Sequence, residues 1–502
     1  MLDILGSQNP GSHSPRDESG GFATGNRRAM LKIGTVGALS LPTFLKAVAE
    51  QGRTEGTFGR AKRIVLVYLQ GAASQFETWD PKPNAPVEIR GQNGVTSTSV
   101  PGTLISEGLP KLAERVDRLA LIRSMTHPYN NHSNHYTLTG YPTVNFASET
   151  NPRDERHHPF FGSILDYLAG ERAEGVPRNL GLPWRFSRHS LVQRSGPYGA
   201  FLGSGFDPVW TDLVGKPTKS VSRVSFFRGG KSVEVMDPFL GITPASRLSV
   251  SKDMQLRAGL SLDRLDKRLG LLEQLDQLKR RIDGDIEMSS VDRYHEMAFS
   301  LITSEKFRRA LDVGQETLAK RERYGMTLFG QSVLTARRLL EAGCPLVSVF
   351  WDEYKVVNTA WDTHFNHFSR LNNELLPGFD AAMSSFIDDL EDRDMMEDTL
   401  VLCLTEHGRT PKVGKANRGG GRDHWSRVYS VMLFGGGISP GSVLGASDDR
   451  GAFVQDRPTS PEDVLATMYH LMGVPPNTTI PDRLGRPIWL TQSGRKISEL
   501  VG

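Results

Sequence analysis

The chain has 502 residues, a formal net charge of +3, 38% hydrophobic and 23% charged residues. That length is too great for one small core and fits one large α/β domain with insertions, or two domains. The near-neutral balance gives no electrostatic case for nucleic acid or for an anionic membrane surface.

The N-terminus reads as an address. Arg27 and Arg28 precede a short apolar stretch, Ile33 to Leu45, followed by Ala47-Val48-Ala49. Paired arginines, an apolar run too short to span a bilayer and an A-x-A site resemble a twin-arginine export signal. Residues 1–49 are therefore expected to be signal and polar leader. The mature protein would be periplasmic or cell-surface, with no stable membrane span after signal removal. One domain would occupy residues 60–502.

Short apolar runs at Ile64–Leu69, Leu119–Arg123, Leu346–Trp351, Leu400–Leu404 and Tyr429–Phe434 predict buried strands. Amphipathic patterns predict helices at Gln331–Ala342, stopped by Gly343, and at Pro377–Asp392, with Pro377 in the first turn. Residues 196–250 read as loops and short strands. Residues 254–325 read as a helical insertion with a solvated, mixed-charge face. Alternating strands and helices imply an α/β fold, a mostly parallel sheet with helices on both faces. Cys344 and Cys403 lack zinc-knuckle or redox spacing and read as buried thiols, with a disulfide between neighbouring strands as the alternative.

In such sheets, sites form beyond the carboxyl ends of strands. Four expected strands end in reactive side chains: Glu77 and Asp80 after the first; Thr126, His127, His132, Ser133 and His135 after the second; Asp362, His364 and His367 after the third; Glu406, His407 and Arg409 after the fourth. Arg422, Asp423 and His424 end the long loop before the last strand. Imidazole with carboxylate suits zinc, manganese or iron, and two ions together would clamp both sides of a displacement at phosphorus or sulfur. Arg409 and Arg422 are candidate anion clamps that would equally well pair with these acids. Each cluster also has a structural reading, as a strand cap or loop anchor.

These residues carry a family resemblance. Glu406-His407-Gly408 resembles the acid–His–Gly motif of the alkaline-phosphatase and sulfatase superfamily. Asp80-Pro-Lys82-Pro83, Trp361-Asp362-Thr363-His364, Glu406 to Pro411 and Gly421 to Trp425, in order, resemble the domain-of-unknown-function 1501 family. Pro461 to Gly473 resembles the late helix of sulfatases. The resemblance implies an alkaline-phosphatase-like sheet and a divalent metal, zinc or manganese, with room for two ions. Asp362, His364 and His424 would hold one ion, Glu406 and His407 the other, and Glu77 would stand where the superfamily places an aspartate. Two departures stand out. The residue four after Asp362 is Asn366, and Asn130 occupies the place of the sulfatase nucleophile. Ser133, Thr126 and Ser124 are nearby hydroxyls, a metal-bound water would need none of them, and His127, His132 or His135 would position the leaving group. The expected activity is hydrolysis of a phosphate or sulfate ester of a small molecule or carbohydrate. The alternative is a non-catalytic metal- or ligand-binding protein on the same fold.

Overall fold

The computed structural model describes residues 56–170, 175–225, 231–250, 304–355, 360–414 and 419–501. The expected export signal, and residues 254–303 of the expected helical insertion, lie outside the described residues.

The strands that position the site are β1 (Arg63–Leu69), β2 (Ala120–Met125), β3 (Asn179–Leu182), β4 (Val209–Val214), β5 (Arg247–Val250), β6 (Leu346–Trp351), β7 (Thr399–Leu404), β8 (Gly408–Arg409), β9 (His424–Trp425), β10 (Tyr429–Phe434) and β11 (Ser442–Leu444). Nine of them form one sheet in the order β11-β2-β10-β7-β1-β6-β3-β4-β5. β7, β1, β6, β3 and β4 run parallel. β10 is antiparallel to both its neighbours, so β2 again points the same way as β7. β8 and β9 form a separate two-residue ribbon.

The sheet is covered on both faces, which is why its strands are continuous apolar runs. Along β1, Val65, Val67 and Leu69 enter one core while Ile64, Leu66 and Tyr68 enter the other. The longer helices are α1 (Asn134–Thr139), α2 (Phe161–Leu168), α3 (Glu305–Leu311), α4 (Leu318–Tyr324), α5 (Leu328–Glu341), α6 (Leu376–Glu391) and α7 (Pro461–Leu471). α5 and α6 supply Leu339, Phe379 and Phe386 to the first core. α1, α2 and α7 supply Leu138, Ile164 and Leu465 to the second. Local signals set the ends: the Thr327 hydroxyl accepts from the Gly330 N–H before α5, and Ser460 with Asp463 forms a capping box at α7.

One helix start differs from expectation. The helical run does not begin at Pro377; it begins at His367, and a wide turn over Leu371–Leu375 precedes α6. Proline has no N–H to give and its ring crowds the carbonyl four residues back, so a widened turn lets the chain continue past it. The two cysteines are free and buried; β1 separates β6, which follows Cys344, from β7, which contains Cys403.

The turn after β1 requires glycine at position 71. Its φ is +99°, and a Cβ there would lie 2.3 Å from the Asp362 backbone nitrogen. Gly71→Ala should cost at least about 1–2 kcal/mol from the left-handed backbone alone, and more because two loops must part. Urea denaturation checks this, and an unchanged midpoint would mean the two loops do not meet as described.

Candidate metal centre

β1, β2, β6 and β7 all end on the same side of the sheet, and the β8–β9 ribbon closes over that edge. Their loops bring together His132, Asp362, His364, His407 and His424. Donor atoms of Asp362, His364 and His424 lie within 4.8 Å of one another, as do those of His132, His407 and His424.

The first group is a tight triangle. His364 Nε2 is 3.0 Å from Asp362 Oδ1, His424 Nε2 is 3.4 Å from the same oxygen, and the two nitrogens are 3.1 Å apart. His364 Nδ1–H donates to Asp423 Oδ1 at 2.6 Å, which turns its Nε2 toward the triangle. Burial, chiefly, lowers the His424 imidazole to about 4. One carboxylate oxygen and two imidazole nitrogens therefore converge where a cation would sit. Ligands about 2.0–2.1 Å from a zinc ion stand roughly 3.0–3.4 Å apart in octahedral or tetrahedral arrangements. The triangle has that size, and its donor set fits the metal.

The second group has an orphan. His407 Nδ1–H donates to the Gly408 carbonyl at 2.8 Å, and its buried Nε2 has no hydrogen-bond partner. Burial, then the neighbouring charges of His424, His132 and Arg409, hold this imidazole far below its ordinary value. A buried imidazole nitrogen without a partner is costly unless a ligand uses it. His132 Nδ1–H donates to Glu406 Oε1 at 2.8 Å, and its Nε2 is 3.6 Å from Asp362 Oδ2. Burial and Arg194 oppose charge on His132, but Asp362 and Glu406 outweigh them and raise it to about 9. Glu406 also accepts the Gly71 N–H at 2.8 Å. Its carboxylate thus stands behind His132 and orients it, the usual arrangement for a ligating imidazole. Burial opposes ionisation of Asp362, yet Arg409 and the surrounding imidazoles hold it well below the usual carboxylate range.

Several expected roles change. Glu77 is not in the histidine group. It accepts from Ser74 Oγ at 2.5 Å and His367 Nε2 at 2.9 Å, and from Arg422 at 2.8 and 3.2 Å. Burial works against its charge, but Arg422 and His367 bring its carboxyl down to about 2. With its oxygens spent on the protein, Glu77 is a structural anion. Arg422 is not an anion clamp either: its remaining N–H groups go to the carbonyls of Thr410, Pro411 and Ile89. Arg409 is equally saturated, by carbonyls of Gly71, Ala72, Trp361 and Arg422 and by Asp362 Oδ1 at 2.5 Å. Both guanidinium groups are fully buried. His135 faces away from the group, packing on His157 with ring centroids 4.5 Å apart and accepting the His158 N–H at 3.3 Å. Thr126 is tied by its backbone to Thr459. Asn130 Oδ1 accepts the Ser426 N–H at 2.9 Å and anchors a loop.

Ser133 lies next to His132, and its buried Oγ has no partner. Sequence reasoning passed over Arg194. Its Nε is buried without a partner, and its hydrogen bond to Glu353 is long, 3.4 Å. Two residues on, Gly196 packs against Leu138 and Asn134 of α1, which holds this arginine's loop beside His132. No motif marks it; a single arginine in a Gly/Ser/Pro loop carries no signal of its own. The same loop bonds Glu149 through Ser195 Oγ, which donates to it at 3.1 Å, and Thr143 Oγ1, from the segment after α1, donates at 3.1 Å.

Two measurements follow from these environments. Arg422→Ala should cost about 3–5 kcal/mol because it strands the Glu77 charge, and a loss under about 1 kcal/mol would return Arg422 to the exposed, ligand-binding class. Burial raises the Glu149 carboxyl to about 7. A carboxyl raised above its unfolded value stabilises the fold at low pH and loses that contribution as pH rises through about 7. Glu149→Gln should therefore shrink the drop in melting temperature between about pH 5 and about pH 8; an unchanged drop would refute this environment.

No curated protein matches the chain. Solved structures similar to it include a sulfatase from Pseudoalteromonas sp., at 12% identity over 86% of this chain and 72% of that one, with a TM-score of 0.35. A phosphonate monoester hydrolase from Silicibacter pomeroyi is similar at 10% identity over 87% and 76%, with a TM-score of 0.35. A lipoteichoic acid synthase from Listeria monocytogenes is similar at 9% identity over 89% and 80%, with a TM-score of 0.34. A family model described as "Protein of unknown function (DUF1501)" matches residues 61–501, and the chain belongs to that family.

Proposed function

We propose that this protein is an exported, metal-dependent hydrolase of phosphate or sulfate esters. The observation that supports it most is the Asp362–His364–His424 triangle, whose oxygen and nitrogen atoms converge at metal-ligand spacing. The orphan Nε2 of His407 supports a second position shared through His424. Bound there, a divalent ion such as zinc or manganese would polarise the ester oxygens and lower the pKa of a water.

The chain's own groups do the rest. Asp423 and the Gly408 carbonyl hold His364 and His407 by their Nδ1 atoms, so each presents Nε2. Glu406 does the same for His132. Ser133 follows His132 in the chain and has a buried Oγ without a partner among the described residues, which makes it the candidate nucleophile. Arg194, with its unpartnered Nε, takes the anion-holding role first expected of Arg409 and Arg422. A second reading, a metal-binding protein without catalysis, is favoured by Asn130, which anchors Ser426 where a nucleophile was expected.

The purified protein should carry zinc or manganese, and chelation should lower its melting temperature. His407→Ala should lose metal and turnover together. Metal-free protein whose stability ignores chelator would sink the metalloenzyme reading. Ser133→Ala with full metal but no turnover of sulfate or phosphate esters would support a hydrolase; metal-loaded wild type inert to both ester classes would leave the binding reading. Export is tested at the N-terminus: Arg27→Lys with Arg28→Lys should keep the protein in the cytoplasm, and unimpaired export would refute the twin-arginine route. Among the described residues no helix is long and apolar enough to cross a membrane.

A further inference from the structure

The β8–β9 ribbon has two faces. Arg409 pairs with His424 and Gly408 with Trp425. Cross-strand partners share a face and successive residues alternate, so Arg409 and His424 face the histidine group while Trp425 faces away. Behind the ribbon, on the Trp425 side, lies a cavity of about 360 Å³. That is within the range of small-ligand sites, roughly 300–1,000 Å³.

Its walls have a definite chemistry. Trp425 and Phe453 meet edge to face, with ring centroids 5.9 Å apart. Phe453 is 53% exposed, a large apolar surface that the fold itself does not use. The Trp425 Nε1–H is spent on the Ala452 carbonyl at 2.6 Å, which fixes the indole and leaves its ring for apolar contact. Lys412, Arg450 and Glu88 also line the cavity, all exposed and none in an ion pair among the described residues, so two cations face one carboxylate there. The wall at Thr410 and Pro411 is rigid, because buried Arg422 donates to both carbonyls.

An aromatic corner flanked by two unpaired cations selects a ring with an apolar face and one or two anionic groups. We infer that this cavity is a second binding site, separate from the histidine group, for an anionic sugar residue carrying sulfate or carboxylate. The aromatic corner takes the C–H face of the sugar ring, and Lys412 and Arg450 take the anion. The site communicates with the metal centre through one residue: Thr410 lines the cavity, and its hydroxyl accepts the N–H of Asp423, whose carboxylate holds His364.

Ligand-observed NMR titration of the full chain with galactose 6-sulfate, galactose and 4-nitrophenyl sulfate tests this. Galactose 6-sulfate should bind before and after chelator treatment, and galactose should bind about tenfold more weakly or worse. Phe453→Ala, and Lys412→Gln with Arg450→Gln, are surface changes that should each weaken it by about tenfold or more. Binding abolished by chelator but unchanged in these variants would place the sugar at the metal centre and overturn the inference. Absent binding of galactose 6-sulfate would overturn it as well. Tighter binding of 4-nitrophenyl sulfate, lost in the same variants, would replace the sugar by an aromatic anion and overturn the assignment of ligand. The metal reading can fail while sugar binding survives, because the chelated protein reports on this cavity alone.

Discussion

The Arg409 guanidinium sits fully buried among the carbonyls of Gly71, Ala72, Trp361 and Arg422 and the carboxylate of Asp362. A charge taken out of water is tolerable only when such contacts replace its hydration. The contacts come from three approaches of the chain: the turn after β1, the loop after β6 and the loop before β9. Satisfying one guanidinium thus fixes three loops against one another. Asp362, one of the donors in the histidine group, is held in the same act. Arg422 repeats the device one layer out, joining Glu77, Ile89, Thr410 and Pro411.

Behind this scaffold the imidazoles divide by what their second nitrogen touches. His364, His407 and His132 each give Nδ1 to an oxygen of the protein, and each points Nε2 inward. His367 spends both nitrogens on Thr363 and Glu77, and belongs to the scaffold. The same residue type therefore serves two purposes within one loop, and hydrogen-bond partners, not residue identity, separate them. Buried carboxylates divide the same way. Glu77 is closed on every side, Glu406 orients an imidazole, and Asp362 faces the donor group.

Much of the fold was legible in the chain. Apolar runs of Val, Ile and Leu located five strands to within a residue or two, because a strand buried on both faces has no polar alternation to hide it. Reactive residues just beyond those runs gather at one edge of the sheet. Roles within that edge were less legible. Glu77 was read as a ligand and His132 as a catalytic group, because both follow strands; their partners lie hundreds of residues away. Arg409 and Arg422 were open to two readings, as anion clamps or as partners of the acids, and only the packing that sets Asp362, Glu77 and backbone carbonyls around them separates the two. Arg194 sits in a loop with no local pattern, and its open Nε depends on the packing of that loop against α1.

The sequence by itself determined the layered α/β architecture, the kinds of donor present and the side of the sheet on which they gather, since periodicity and strand ends are local properties. Tertiary structure alone decided which donors converge, which charges are already answered and which nitrogen is left without a partner. Those outcomes depend on distances between loops far apart in the chain, which no local pattern encodes.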